Sequence, residues 1–350
     1  MPTDTSEYGL ESLIVASFVN DSGYILGDPH DFDREYALDL PLLLQFIEST
    51  QPQVFAQLDI GNPGPKRVQF LHRLYSEIAK RGIVDVLRSG IKHGPCSIEL
   101  YYSRASGENV KARALHDANI FSVTRQLRYS KNETSLSLDL AIFINGLSVA
   151  TFELKNKLTK QTVYDAIQQY KRDRDPKEPL FSFGRCLVHF AVDDQEVMMC
   201  THLQGNASWF LPFNKGYKDG AGNPPNPDGI ATDYLWKEVL CKESLADILE
   251  NYAQLVTEKD SKGRKRRKLI FPRYHQLDVV RKLLADVDVA ELGKRYLIQH
   301  SAGSGKSNSI AWLAHQLIDL RRAGKPLFDS IIVVTDRRIL DKQIRDTVRQ

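Results

Sequence analysis

The spacing of apolar residues in the N-terminal part of the chain is helical. Residues three or four positions apart lie on one face of a helix, so such a run predicts a helix with one buried side. Two runs fit this spacing: Leu43, Leu44 and Ile47, and then Phe70, Leu71, Leu74 and Ile78. We therefore predict helices here that pack on a sheet.

From Ser97 onward the pattern changes to short apolar runs that are typical of strands. Strands are predicted over residues 98–102, 120–129, 135–144 and 147–155. The last two runs are separated by Asn145-Gly146, and both residue types tolerate positive φ. This pair between apolar runs predicts a β-hairpin.

Beyond this hairpin, helical and extended patterns alternate. A helix that ends at Asp175-Pro176 is predicted from residues that share one face: Val163, Ala166, Ile167 and Tyr170. Further strands are predicted over residues 185–192 and 196–203. This order predicts an α/β core with an inserted antiparallel meander.

The last part of the chain shows a second alternation of helix and strand. The predicted elements are a helix at 274–284, a strand at 295–299, a helix at 308–321, a strand at 330–335 and a helix from Arg338 onward. The basic segment from Gly263 to Lys268 precedes them. We predict domains at 1–255 and 269–350, joined by a basic linker at 256–268. The last helical pattern still repeats at Gln350, so a longer polypeptide is expected.

Length and composition set broad limits. The 350 residues are enough for roughly two domains of about 150 residues each. The 47 Lys and Arg residues nearly balance the 44 Asp and Glu residues, so net charge alone gives no argument for nucleic acid. Four cysteines without a Cys-x-x-Cys pair argue against a zinc ribbon or a redox pair. With neither a signal peptide nor an apolar run of about 18 residues, a cytoplasmic protein without membrane contact is predicted.

Two residues near the end of the second hairpin strand are the first candidates for chemistry. Glu153 and Lys155 lie two positions apart, so on a strand they face the same side. Asp139 lies on the partner strand. A strict two-residue turn sets Asp139 opposite Phe152, whereas a longer loop or a bulge at Gly146 sets it opposite Glu153. We adopt the bulge, which brings the two carboxylates together.

Two carboxylates beside an ammonium predict a magnesium site. Mg²⁺ prefers hard oxygen ligands and retains several waters, which suits Asp139 and Glu153 together with a substrate phosphate. The cation would activate a water and neutralise phosphate charge, and Lys155 would either orient that water or stabilise the developing negative charge. The alternative is an exposed pair of Glu153 and Lys155, with Asp139 as a polar strand-end residue. Apolar flanks around both carboxylates argue against the exposed pair, because a buried carboxylate needs compensation, either by a metal or by the lysine.

The same three residues resemble the acidic motifs of the PD-(D/E)xK nuclease superfamily. Asp139 stands at the first acid, and Glu153 and Lys155 stand at the second motif. Leu138 occupies the position where that superfamily commonly has proline. The resemblance implies that Asp139 and Glu153 bind the metal and that Lys155 is the catalytic lysine.

The helix after the second motif contributes weaker candidates. Superfamily members that act with helicases have a Gln-x-x-x-Tyr pair there, for which Gln169 and Tyr170 are the candidates. The position four before Tyr170 is Ala166. The basic residues that follow either contact DNA phosphates or form a solvated helix face: Lys171, Arg172 and Arg174.

Residues 301–307 have the pattern of a phosphate-binding loop between a predicted strand and a predicted helix. Such a loop directs backbone N–H groups and a helix N-terminus at phosphate oxygens. The predicted ATP contacts are Gly303, Ser304, Gly305, Lys306 and Ser307. Lys306 would bind the terminal phosphates, and the Ser307 hydroxyl would bind Mg²⁺. His300 replaces the first Gly of the strict pattern, and the alternative is a Ser- and Gly-rich turn without function.

Two flanking segments resemble those of superfamily 2 helicases. Residues 271–276 resemble the adenine-recognising segment, in which Gln276 would read the adenine edge and Arg273 is a weaker candidate. The alternative is a short, aromatic-rich helix start. Residues 333–343, which include Asp336, resemble a segment near bound DNA. The resemblance implies a partial RecA-like parallel α/β motor lobe. Because an acidic box and a second lobe are not among these residues, the chain alone is expected to hydrolyse ATP poorly.

A nuclease core followed by motor segments resembles the restriction (R) subunit of type I restriction-modification enzymes. The segments that carry this resemblance are residues 152–157, 161–167, 173–176 and 210–214. It implies a restriction-endonuclease-like mixed sheet flanked by helices, Mg²⁺ and ATP as cofactors, and double-stranded DNA as substrate. It also implies methyltransferase (M) and specificity (S) subunits as partners.

Two alternatives remain open at this point. One is a repair-type helicase-nuclease that acts at DNA ends. The other is a DNA translocase with an inactive nuclease fold. The presence of Asp139, Glu153 and Lys155 together speaks against an inactive fold.

Overall fold

The fold is seen in a computed structural model that describes residues 7–104, 109–156, 160–218, 220–259, 263–289, 293–322 and 324–335. The chain forms two compact units, Met1–Phe271 and Pro272–Gln350. Each unit contains both helices and strands.

Most α-helices of the first unit lie before its long hairpin. The α-helices of this unit are α1 (Glu7–Asn20), α2 (Leu40–Thr50), α3 (Pro52–Leu58), α4 (Pro65–Arg81), α5 (Ile83–Ser89), α6 (Val110–Asp117), α7 (Val163–Arg172) and α8 (Lys242–Asp247). The helices predicted around residues 43–47 and 70–78 are confirmed by α2 and α4. Helix α2 begins where it does because the Asp39 carboxylate accepts a hydrogen bond from the Leu42 N–H at 3.1 Å.

Within the described residues, the strands of the first unit build one large sheet and two small ones. They are β1 (Ile25–Leu26), β2 (Phe32–Asp33), β3 (Leu38–Asp39), β4 (Ile91–His93), β5 (Cys96–Ile98), β6 (Phe121–Arg128), β7 (Ser137–Ile144), β8 (Leu147–Leu154), β9 (Val188–Val192), β10 (Val197–Cys200), β11 (Leu211–Pro212), β12 (Gln254–Lys259) and β13 (Lys265–Ile270).

The nine-stranded sheet has the order β1-β6-β7-β8-β9-β10-β11, with β3 paired to β8 and β2 paired to β3. The pairs β1–β6 and β8–β9 are parallel, and the other pairs are antiparallel. The central strands β8 and β9 are buried at every position, which explains their nearly continuous apolar sequences. A mixed α/β fold with a large mixed sheet is therefore confirmed.

The strand predicted over residues 98–102 is wrong beyond Ile98, where β5 ends. The backbone that follows is hydrogen-bonded by asparagine side chains instead of by a neighbouring strand. The Asn119 amide donates to the Tyr102 carbonyl at 2.7 Å, and the Asn145 amide donates to the Leu100 carbonyl at 2.9 Å. Because the polar backbone groups are satisfied in this way, apolar residues here need no sheet.

The β7–β8 hairpin turns at Asn145 and Gly146, which have φ angles of 51° and 77°. Positive φ at both central residues is what an Asn-Gly hairpin turn requires. Beyond the turn the register shifts by one residue: Phe143 pairs with Ser148, but Ile142 pairs with Ala150. The predicted bulge is therefore present, although it lies at Val149 and not at Gly146. The two-residue turn closes normally, and the extra residue is taken up within β8.

Replacing Gly146 by Ala is expected to lower the free energy of unfolding by about 3 kcal/mol or more. A Cβ at this position would lie 2.4 Å from the Asp39 carbonyl oxygen and 2.6 Å from the Leu43 nitrogen. Urea unfolding followed by circular dichroism measures the loss. The matched control is Gly94→Ala, because Gly94 also has positive φ but its Cβ would meet no atom within 4 Å among the described residues. Equal losses for both variants would contradict the steric explanation.

Helix α7 packs on the central strands β8 and β9 of the large sheet. It begins with a capping box between Thr162 and Asp165, and its buried residues are those predicted: Val163, Ala166, Ile167 and Tyr170. It ends at Arg172, slightly before the predicted stop. The chain segment just after α7 therefore also lies close to the sheet.

The predicted linker at 256–268 is mostly an antiparallel ribbon of β12 and β13. The first unit continues through this ribbon and ends at Phe271. The base of the ribbon is buried at Val256 and Leu269, whereas residues 263–268 are exposed. Four of the five consecutive basic residues, Lys265 to Lys268, lie on β13, so the segment resembles a linker in composition but not in conformation.

The second unit contains α9 (Tyr274–Val289), α10 (Lys306–Asp319) and the short pair β14 (Arg321–Arg322) and β15 (Lys325–Pro326). The two predicted helices are confirmed by α9 and α10. The strands predicted at 295–299 and 330–335 are wrong, because these segments pair with no strand in the described part of the unit. Leu297 is 96% exposed and Val334 is 86% exposed. An apolar run becomes a strand only where a neighbour supplies backbone hydrogen bonds.

The predicted final helix from Arg338 onward, like Asp336, lies outside the described residues. No helix within the described residues is both long enough and apolar enough to cross a bilayer.

Candidate functional site

The bulge in β8 aligns the predicted carboxylates across the sheet. Leu140 pairs with Phe152, and continuing this register by one residue sets Asp139 opposite Glu153. Opposite residues of an antiparallel pair share a face of the sheet. The Asp139 carboxylate also accepts a hydrogen bond of 2.7 Å from the Leu154 N–H. The structure thus brings Asp139 and Glu153 together at the end of β7 and β8.

Lys155 follows directly after β8. Its N–H donates to the Val192 carbonyl at 2.8 Å, which extends the pairing with β9 beyond the end of the strand. Lys155 is buried, and its charge acts on Glu153, whose pKa it lowers. The three residues predicted as one site therefore lie together on one face, as the alternation of the strand requires.

Glu153 is fully buried, with an exposed fraction of 0%. Its surroundings raise its pKa to about 8: burial is the main cause, Asp139 adds to it, and Arg174 and Lys155 oppose it. One carboxylate oxygen, Oε1, accepts a hydrogen bond of 2.5 Å from Arg174 Nε. The other, Oε2, is buried and has no hydrogen-bond partner among the described residues. A buried polar atom in this state marks a site that an added ligand can complete.

Arg174 is the residue of this site that the sequence interpretation missed. It was expected to contact DNA or to lie on a solvated helix face, but it is only 3% exposed. Besides Glu153, it binds the Tyr129 hydroxyl at 3.1 Å and the Ser137 carbonyl at 2.8 Å. Local pattern gives no signal for this burial, because Arg174 lies two residues beyond the end of α7 and is not part of the helical spacing that marks its buried face.

Arg174 remains charged in this environment. Its burial lowers its pKa, but pairing with Glu153 more than offsets that effect, so the pKa of Arg174 lies above its usual value. The guanidinium carbon lies 5.4 Å from the centre of the Tyr129 ring. The site therefore holds a permanent positive charge beside a carboxyl that burial drives toward its neutral form.

Tyr170, a weaker candidate, lies beneath the same site. Its hydroxyl is 2.9 Å from Thr151 Oγ1, which in turn is 2.7 Å from His189 Nδ1. Burial, and then the charge of Glu153, raises the pKa of Tyr170 well above its usual value. Tyr170 therefore stays neutral and supports the strand that carries Glu153. Gln169 is half-buried on the same helix.

The carboxylates fit a divalent cation as a pair. Among the described residues there is no cluster of three or more His, Cys, Asp or Glu side chains that could hold a metal. Mg²⁺, however, is commonly bound through one or two carboxylates and retains several waters. Asp139 and Glu153 supply such a pair, and Glu153 Oε2 is a buried oxygen for which a cation would compensate.

The raised pKa of Glu153 predicts that metal binding releases a proton near neutral pH. Below about pH 8 the Glu153 carboxyl holds a proton that the cation must displace. Affinity for Mn²⁺ is therefore expected to rise by about tenfold per pH unit up to pH 8 and to level off above it. Calorimetric titrations without nucleotide between pH 6 and 9 measure this. In the control variant Glu153→Gln this rise is expected to vanish, and pH-independent binding to the unaltered chain would contradict the prediction.

The phosphate-loop residues lie at the start of α10. Gly305 precedes the helix with φ 84°, and Gly303 has φ 74°. Lys306 is exposed, and its ammonium donates to the Ser301 carbonyl at 2.8 Å and to the His300 carbonyl at 3.2 Å. The loop therefore ends in a helix N-terminus beside a cation, which is the arrangement that favours an anion.

Gln276 meets this loop from the start of α9, and Arg273, just before the helix, contacts Gln276. The Gln276 amide donates to the Gly305 carbonyl at 2.8 Å and accepts from the Arg273 N–H at 2.9 Å. Gln276 is buried, so in this structure it braces the loop. Ser307 is half-buried, and the Ser304 hydroxyl is buried without a hydrogen-bond partner among the described residues. The predicted ATP contacts are thus found around one loop: Gln276, Gly303, Ser304, Gly305, Lys306 and Ser307.

Comparison with known protein families gives two matches. The family described as type I restriction enzyme R protein N terminus matches residues 4–208, and the SWI2/SNF2 ATPase family matches residues 275–350.

Curated proteins give consistent similarities. The chain is 28% identical over 215 residues to the type I restriction enzyme HindI endonuclease subunit of Haemophilus influenzae, covering 60% of this chain and 19% of that protein. It is 25% identical over 268 residues to the putative type I restriction enzyme MjaIXP endonuclease subunit of Methanocaldococcus jannaschii, covering 68% and 23%. The chain thus spans about a fifth of the length of these relatives.

Proposed function

The chain belongs to the family of type I restriction enzyme R proteins, and from this membership we propose that it is the nuclease part and the start of the motor of an ATP-dependent restriction endonuclease subunit. The first unit would be a PD-(D/E)xK nuclease domain with a restriction-endonuclease-like sheet. The second would begin a RecA-like lobe, which the SWI2/SNF2 match at residues 275–350 supports.

The observation that carries the nuclease proposal is the alignment of Asp139 with Glu153, with Lys155 beside them on the same face. Asp139 and Glu153 would hold Mg²⁺. When bound, the metal would supply an activated water and neutralise charge on the scissile phosphate. Lys155 would stabilise the negative charge that develops on that phosphate. Tyr170 and Arg174 would hold the strand and the carboxylate in place.

The phosphate loop would bind ATP and couple its hydrolysis to movement along DNA. Backbone N–H groups at Gly303, Ser304 and Gly305 would face the phosphates, Lys306 would bind the terminal phosphates, and the Ser307 hydroxyl would serve a second Mg²⁺. In the nucleotide-bound state Gln276 would read the adenine edge. The whole subunit would act on double-stranded DNA with methyltransferase and specificity subunits in the cytoplasm.

The test is cleavage by the assembled enzyme on circular and on linear double-stranded DNA, with ATP and Mg²⁺ added separately and together. Cleavage of circular DNA that requires both is the expected result. A repair-type helicase-nuclease would need an end, so it would degrade linear DNA and spare the circle. ATP hydrolysis without cleavage under any metal condition would identify the third alternative, a translocase with an inactive nuclease fold.

A further inference from the structure

We propose that Arg174 is a positioning residue of the candidate nuclease site: it holds the Glu153 carboxylate by Oε1 and so keeps Oε2 available for a divalent cation. This inference rests on the proposed function, because it assigns Arg174 a role at the metal site proposed there. Its direct support is the 2.5 Å contact between Arg174 Nε and Glu153 Oε1.

Arg174 connects three adjacent strands at the end where the carboxylates meet. Its Nη1 donates to the Tyr129 hydroxyl just after β6, its Nη2 donates to the Ser137 carbonyl at the start of β7, and its Nε donates to Glu153 on β8. A guanidinium is planar and its donors have fixed directions. With two nitrogens directed to Tyr129 and Ser137, the direction of the third toward Glu153 is set.

A second hydrogen bond of Tyr129 helps to hold Arg174 in place. The Tyr129 hydroxyl donates to the Asp173 carbonyl at 3.3 Å, so the tyrosine links the segment that carries Arg174 back to the same site. The guanidinium also lies near the face of this ring. Arg174 thus has little freedom to move, so the guanidinium sets the position of the Glu153 carboxylate.

A purely structural ion pair does not account for this arrangement. Buried ion pairs contribute little net stability, and a buried polar atom without a partner reduces it further. Glu153 has such an atom in Oε2, while Oε1 is firmly bound. A carboxylate held by one oxygen with the other unsatisfied is what a metal ligand needs before the metal arrives, since residues that orient ligands raise metal affinity.

An opposite effect of Arg174 is chemically conceivable, and the experiment separates the two. If Arg174 merely replaced the cation as the counter-charge of Glu153, it would compete with the metal, and its removal would tighten metal binding. If it positions Glu153, its removal weakens metal binding.

The experiment titrates the 350-residue chain with Mn²⁺ in the absence of nucleotide and follows binding by calorimetry. Arg174→Met is expected to weaken Mn²⁺ binding by at least about tenfold. Arg174→Lys is expected to give an intermediate affinity, because it keeps the charge but loses the fixed three-way contact. The matched control is Arg172→Met, an exposed residue of the same segment, which should bind Mn²⁺ like the unaltered chain.

A second measurement, the melting temperature, keeps the proposal testable if Arg174→Met is poorly folded. Removing the arginine leaves Glu153 buried with its partner lost, so the melting temperature is expected to fall, and adding Glu153→Gln should restore part of it. No such restoration would show that Arg174 acts elsewhere than on Glu153 and would overturn the proposal.

The metal titration has two further decisive outcomes. Unchanged or tighter Mn²⁺ binding in both Arg174 variants overturns the positioning role while leaving the proposed nuclease site intact. Absence of saturable Mn²⁺ binding by the unaltered chain would instead count against the proposed nuclease function itself.

Discussion

Replacing Asp139 by Asn is expected to reduce DNA cleavage by the assembled enzyme by at least about a hundredfold while ATP hydrolysis continues at the unaltered rate. The change removes one of two carboxylates that would hold the metal. Asn retains a side-chain oxygen that can accept the hydrogen bond from the Leu154 N–H, so the end of the hairpin should keep its fold. Cleavage of circular DNA and release of phosphate from ATP, measured on the same samples, test this.

The Asp139 prediction has a clear control and a clear contradiction. Asp117→Asn changes an exposed aspartate on α6 and should leave both activities unaltered. Asp139→Ala also removes the acceptor for Leu154, so it is expected to lose cleavage and some stability. Joint loss of cleavage and ATP hydrolysis in Asp139→Asn would mean that the residue supports folding rather than chemistry.

The sequence predicted the parts of the fold that local pattern and turn chemistry determine. Asn145-Gly146 between apolar runs predicted the hairpin, because few residue pairs tolerate two successive positive φ angles. Alternation along β8 predicted that Glu153 and Lys155 share a face, and the helical spacing after residue 159 predicted α7. In these segments the local preference and the tertiary packing agree.

Sequence could not predict features that depend on contacts between distant segments. The bulge at Val149 decides whether Asp139 meets Glu153, yet nothing local distinguishes Val149 from its apolar neighbours. In the sequence Arg174 is one more residue of a basic run, and its burial depends on a carboxylate 21 positions earlier in the chain. The strands predicted at 295–299 and 330–335 failed for the same reason, because pairing requires a partner that local pattern does not reveal.

The basic segment at 263–268 shows that composition alone does not determine conformation. Five consecutive basic residues read as a linker, since strands usually carry β-branched and aromatic residues. The register between β12 and β13 nevertheless runs through all of these residues except Arg264. The neighbouring apolar positions Val256 and Leu269 hold the base of the ribbon, so the basic residues need only be compatible with an extended backbone.

Replacing Lys306 by Ala is expected to lower ATP hydrolysis by the assembled enzyme by at least about a hundredfold, and with it cleavage of circular DNA. The Lys306 side chain is exposed, and its ammonium donates to carbonyls of its own loop. Its loss therefore removes a cation from the proposed phosphate site without leaving a cavity in the core. Mn²⁺ binding at the carboxylate site without nucleotide should be unaltered, because that site lies in the other unit.

The Lys306 prediction tests the coupling between the two activities. Lys282→Ala serves as the control, since Lys282 is an exposed lysine of α9 paired with Asp278 four residues before it, and this variant should keep both activities. Cleavage that persists in Lys306→Ala while ATP hydrolysis is lost would show that the nuclease works without the motor. If instead ATP hydrolysis persists, residues 301–307 are not the phosphate-binding loop that the glycine pattern predicts. With both activities lost and metal binding retained, the nuclease must depend on the motor for delivery of DNA rather than for its own fold.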